Sequence, residues 1–142
     1  MAAVTATLML AACGPSDVGQ AKLKAIPEGS KRDAVVAAIG TGPLTPTNPA
    51  DEPRIVNGFR HQVYITAGKQ FEIIWYRDTP GTLSDPIVRE TDTPVVIEGD
   101  TLVGWGWKFF SPYAAGLNLP DPSHDKARVD SIAKSQLPPA KP

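Results

Sequence analysis

Few residues in this chain can do chemistry: one cysteine, two histidines and fifteen carboxylates among 142 residues. A lone thiol, Cys13, argues against a disulfide framework. In an oxidising compartment a free thiol is a liability, and a blocked one is not. His61 falls on the apolar side of an alternating segment, where a satisfied, half-buried histidine is expected before a catalytic base. His124 has Asp121 and Asp125 nearby, a cluster that reads as a helix start, where acids favour the dipole. No second histidine stands at metal-ligand spacing, so no zinc site is expected. Glu72, Glu90, Asp92 and Glu98 include candidates for a paired carboxylate site, yet solvated positions on strands and loops account for them equally well. Gly40-x-Gly42 precedes Pro43 and no phosphate-binding helix, so it reads as a cap. These residues lead us to expect no enzyme, cofactor, metal or small-molecule substrate.

The aromatic residues form a second constellation. In Leu102-Val103-Gly104-Trp105-Gly106-Trp107-Lys108-Phe109-Phe110, glycine and tryptophan alternate. Read as a strand, the segment puts Val103, Trp105, Trp107 and Phe109 on one face and leaves the other nearly bare. Glycine inside a strand marks a close approach by another backbone or side chain. The aromatics then either pack beneath a helix or expose an anchor for a protein, glycan or lipid headgroup. Trp105, Trp107 and Phe109 are therefore the possible partner-binding residues.

Met1 to Ala12 is apolar and long enough for a signal-peptide core, but shorter than the about 20 residues that cross a bilayer. No basic residue precedes Lys22, which is expected if translation starts further upstream. Leu10-Ala11-Ala12-Cys13 resembles the lipobox of bacterial lipoproteins. That resemblance implies a signal peptide over residues 1–12, a diacylglyceryl thioether on Cys13 and a tether over 13–25. Two or more acyl chains hold a protein stably, at about 0.8 kcal/mol per buried methylene. Gly14, where retained lipoproteins carry Asp, resembles the pattern released to the outer membrane, so the expected address is its periplasmic side.

The elements that position these residues are short. Formal charge is −1 with no block of like charge, which excludes the concentrated basic face that nucleic acid requires. No later apolar run approaches membrane-spanning length. Ala21 to Ile26 reads as a weak helical turn. A helix follows, with Ser30 as cap, Asp33 three residues on, Val35, Val36 and Ile39 as its apolar stripe, and Gly40 at a left-handed C-cap. Thr41 to Pro53, with four prolines, is irregular. Strands are expected at 59–66 and 70–77 around the turn Ala67-Gly68-Lys69, then at 94–98 and 101–110 around Gly99-Asp100. Residues 78–94 read as a loop, 111–119 as a turn or short helix, and 121–136 as a last helix. The tail, 137–142, is proline-containing. The expected class is α+β: one or two short helices on a four-stranded antiparallel meander, with the domain over 26–136.

The stretch Ile26-Pro27-Glu28-Gly29-Ser30-Lys31-Arg32-Asp33-Ala34-Val35, ending at Ile39-Gly40-Thr41-Gly42-Pro43, resembles the opening helix of the SmpA/OmlA family of small outer-membrane lipoproteins. Gly68 to Tyr76 and Pro94 to Gly106 resemble that family's "x-x-W-x-Y" and "F-x-x-G-x-L" strands. The resemblance implies a helix followed by an antiparallel sheet, as also in the β-lactamase-inhibitor fold, and a scaffolding role with an envelope protein partner. The expected function is thus a lipid-anchored, non-catalytic envelope protein supporting outer-membrane assembly or integrity. The alternatives are an inhibitor-type module against an extracytoplasmic hydrolase and a cell-wall-binding lipoprotein.

Overall fold

The computed structural model describes residues 20–123 other than 41, 45, 47 and 57. Cys13, His124, most of the expected last helix and the tail lie outside the described residues. In chain order the elements are α1 (Gln20–Lys24), α2 (Arg32–Ile39), β1 (Arg54–Ile55), β2 (Gly58–Thr66), β3 (Lys69–Arg77), β4 (Gly81–Thr82), β5 (Thr93–Glu98), β6 (Thr101–Trp105) and α3 (Trp107–Gly116). Among the described residues no helix is long and apolar enough to cross a membrane.

Two nine-residue strands form the first hairpin, β2 and β3, joined by Ala67-Gly68. Both turn residues have positive φ, 51° and 72°, as a type I′ turn requires. The second hairpin, β5 and β6, turns at Gly99 with φ 63°. The four strands stand in the order β2-β3-β5-β6, every pair antiparallel. This is the α+β meander read from the sequence. β1 and β4 make a separate two-stranded sheet, so the stretch after Asp78, expected as plain loop, contributes a short strand and buries Ile87 and Val88.

β3 explains the layering. Ile73, Ile74, Trp75 and Tyr76 are apolar at consecutive positions and all buried. Side chains alternate across a strand, so such a run needs cover on both faces. On one face Ile74 and Tyr76 join Val95, Ile97 and Leu102 beneath Leu23 of α1 and Val35 and Ile39 of α2. On the other, Phe71, Ile73, Trp75 and Val96 join Trp107, Phe110 and Ala114 of α3. The sheet is the middle of three layers.

Three local expectations are corrected. Ser30 does not cap α2: its hydroxyl donates to Pro27 O at 2.6 Å, and the capping position, Lys31, makes no side-chain cap bond. The helix entry is held instead by the second hairpin turn, where Arg32 N donates to Asp100 O at 3.0 Å. Gly40 has φ 130° and ψ −178°, a conformation open to glycine but not a left-handed cap. The fourth strand stops at Trp105, and not at Phe110, because Gly106 at φ 86° turns the chain into α3.

Candidate functional site

The two outer strands of the sheet are finished differently. β6 is covered: Leu102 N donates to Ser30 O, and Gly29 N to Leu102 O, both at 2.9 Å, while Lys31 bridges Thr101. Among the described residues β2 has no such cover over its second half. Thr66 and Lys69 close the two-residue turn and so form a hydrogen-bonded pair. Alternation along an antiparallel ladder then turns the N–H and C=O of His61, Val63 and Ile65 outward. Among the described residues, no main-chain bond from outside the hairpin reaches 61–66. Val63 is 50% and Ile65 79% exposed.

Natural sheets protect such edges with lysine, proline, bulges or short strands. The segment His61-Gln62-Val63-Tyr64-Ile65-Thr66 carries none of these residues and no formal acid or base other than the histidine. It is paired to β3 without interruption. The first half of β2 is closed off by its neighbours. Gly42 packs on Gly58, where an added Cβ would stand 3.1 Å from the Gly42 oxygen. Arg60 folds back to donate to Leu83 O at 3.0 Å, to Pro86 O at 3.2 Å and to Asp85 O.

Beside the open edge lies an ionic cluster on the α2 face. Glu72, 5% exposed, accepts from Arg32 through Nε at 2.5 Å and Nη2 at 2.8 Å. Its Oε1 also meets His61 Nδ1 at 2.6 Å. Burial pulls the carboxyl upward, but the bonds from Arg32 and His61 and their charge outweigh it and hold Glu72 below the ordinary carboxylate value. His61, its side chain 46% exposed, is thus a partnered, half-exposed histidine. A carboxylate that fixes one ring nitrogen leaves the other for solvent or a ligand. His61 and Glu72 are two metal-type donors, and among the described residues no third acid, histidine or cysteine joins them.

A second cluster is sealed on the α3 side. Asp92, 1% exposed, accepts from Arg77 at 3.2 and 2.9 Å, from Val88 N at 2.9 Å and from Thr91 Oγ1 at 3.0 Å. Arg60 stands 3.6 Å from it. Arg77 also reaches Asp85 at 3.1 Å. Burial pulls the Asp85 carboxyl upward, while bonds from Thr82 and Arg77 bring it net below its usual value. This group staples the 83–92 loop to the sheet.

The aromatic residues do not form a strip. Val96 faces Gly104 and Ile97 faces Leu102, so Val103 is a bulge residue without a partner. The bulge sends Val103 toward the α3 side and Trp105 toward the α1/α2 side. Trp107 is 6% exposed, stacks on Trp75 at 5.8 Å and donates its indole N–H to Asp92 O at 2.8 Å. The Arg89 guanidinium lies 4.5 Å from its ring centre. Phe109 stacks on Tyr113 at 5.0 Å and fills the space over Gly104, where a Cβ would stand 2.6 Å from its ring. The shared face expected for Trp105, Trp107 and Phe109 is therefore corrected: one packs on one side of the sheet and two on the other.

Of the remaining sequence candidates, Glu98 binds Lys69 at 2.8 Å and is approached by Tyr113 Oη at 3.4 Å. Asp121 binds Arg89 at 2.7 Å. The sequence reading missed the Arg77–Asp92 pair and the open edge. The signal for the edge was present, since the alternating 59–66 segment loses its charges after Arg60. Compared with family models, with curated proteins and with solved structures, the chain matches none.

Proposed function

We propose that this chain is a lipid-anchored, periplasm-facing envelope protein whose domain binds another polypeptide by strand addition and performs no catalysis. The observation that carries the binding reading is the second half of β2, uncovered among the described residues and without Lys, Arg, Asp or Glu. Main-chain groups at such an edge supply affinity, and the alternate side chains Val63 and Ile65 supply selectivity. The buried carboxylates are engaged internally, Glu72 with Arg32 and His61 and Asp92 with Arg77. The address rests on Cys13 behind Leu10-Ala11-Ala12, together with the SmpA/OmlA resemblance, and sets outer-membrane assembly or integrity as the process served.

Two measurements test this. The first is the mass of the mature N-terminus from the native host, expected to start at Cys13 and carry acyl chains. An unprocessed methionine with a free thiol ends the lipid-anchor reading. The second places a photo-cross-linking residue at Ile65, with a control at exposed Glu52 in the 83–85 loop contact. Position 65 is expected to give a discrete adduct with an envelope polypeptide, and position 52 none. Absence of any adduct from position 65 ends the edge reading.

A further inference from the structure

We infer that the polypeptide seated on the open edge of β2 is a second copy of this chain, paired antiparallel about Val63 to join two meanders into one continuous sheet. This rests on the reading of β2 as a binding edge and names its occupant. The outward groups belong to His61, Val63 and Ile65, spaced symmetrically about Val63. A two-fold axis there sets Val63 against Val63 of the other copy, and each His61 against the other's Ile65. The three pairs exchange about six main-chain hydrogen bonds.

Side chains decide whether self-pairing is tolerated, because like charges set opposite each other destabilise a sheet. Any charged residue near the centre of a two-fold pair meets itself or a near neighbour. From Gln62 to Thr66 the strand has none, and the nearest fixed charge on the same strand, Arg60, is turned away onto the 83–86 carbonyls. On the α2 face the exposed Val63 meets its counterpart at the axis, and on either side of it the exposed Ile65 of one copy packs against the half-exposed His61 ring of the other. On the other face Gln62 and Tyr64 are set opposite each other across the axis. Within one copy these two already bond, Tyr64 Oη to Gln62 Oε1 at 2.7 Å. Paired with itself about Val63, the edge brings no Lys, Arg, Asp or Glu of its own strand against a like charge. Chains tethered to one membrane also meet at raised effective concentration.

The test uses the full chain carrying Cys13→Ser, so that an introduced thiol is the only one. Opposed hydrogen-bonded residues have Cα atoms about 5.5 Å apart, within disulfide range, whereas Ile65 and its own copy would lie about 14 Å apart at 3.4 Å per residue. Under oxidation Val63→Cys is expected to give a covalent dimer, and Ile65→Cys and Val56→Cys to stay monomeric. Sedimentation of the uncrosslinked chain should show a concentration-dependent monomer–dimer equilibrium. Val63→Lys should weaken that equilibrium about tenfold or more, with a thermal midpoint unchanged at concentrations where both chains are monomeric. A monomer at every concentration overturns the inference, as does cross-linking through Ile65→Cys as efficient as through Val63→Cys. The two readings separate cleanly. If the chain is monomeric but position 65 still captures a different envelope polypeptide, binding at the edge stands and the second copy is wrong. If position 65 captures nothing, both fall.

Discussion

Asp92 and Glu72 are both buried carboxylates gripped by an arginine, one on each face of the same sheet, and they do opposite things for the molecule. Asp92 is enclosed by Arg77, the Val88 amide, Thr91 and the Trp107 turn. Glu72 is bonded to Arg32 and His61, whose side chains are 32% and 46% exposed. The first makes the α3 side a closed interior. The second borders the uncovered half of β2 and gives the α2 side a wet, polar margin. The lesson is that an arginine–carboxylate pair marks neither stability nor function by itself. Its surroundings assign the role.

The contrast is sharpest at Asp92. Asp92→Ala takes the buried carboxylate from Arg77 and leaves it only the part-exposed Asp85, while Arg60 keeps its loop carbonyls; breaking a buried pair from one side costs about 3–5 kcal/mol. Urea denaturation should show that loss with little residual folded protein at moderate temperature. A cost below about 1 kcal/mol would dissolve the contrast.

Gly104→Ala probes the same closed side without charge. The new Cβ would stand 2.6 Å from the Phe109 ring, so Phe109 and its stacking on Tyr113 must shift, at about 1–3 kcal/mol. Phe109→Ala in the same chain should return most of the steric part, and additive costs would disprove the contact.

Glu72→Gln is expected to cost about 1 kcal/mol at pH 7, toward the low end for charge-assisted bonds because both partners reach solvent. The sign with pH follows from the lowered carboxyl value in the folded state. Stability from Glu72 is fully present above the unfolded value of about 4.3 and is lost as pH falls through the folded one. The gap between wild type and variant should therefore close on acidification below that window. A gap that widens there would reverse the assignment.

The smallest effect belongs to the open edge. Ile65→Lys should change stability by less than about 0.5 kcal/mol, because the side chain is 79% exposed, while placing a charge where edges are normally protected. A large destabilisation of the monomer would mean that the same chain covers this edge and the two faces are alike.

Much of this architecture was legible in the sequence for local reasons. The period of two in 59–66, the Ala67-Gly68 turn and the Gly99-Asp100 turn are sufficient to give two hairpins. The consecutive apolar run at 73–76 carries the demand for two covered faces. The strand end at Trp105 was not legible, because alternation of glycine and tryptophan continues through Gly106 and imitates a strand. The positive φ of Gly106 and the bulge at Val103 are settled by how Phe109 and Trp107 fit against Gly104 and Trp75. The ionic clusters were invisible for another reason. Arg32 and Glu72, or Arg77 and Asp92, are separated by 40 and 15 positions, and sequence spacing does not predict which acid faces which base.

The sequence by itself determined the order of helix and strands, the turns, and the single thiol that motivates a membrane address. These depend on torsional preferences and on periodicity over a few residues. Only the tertiary structure decided which tryptophans face which side, which carboxylates are buried with a partner, and which outer strand keeps its hydrogen-bonding groups unpaired. Those outcomes depend on burial, and burial is a property of the assembled sheet: Gly29 to Arg32 returns to cover β6, and nothing among the described residues does the same for His61 to Thr66.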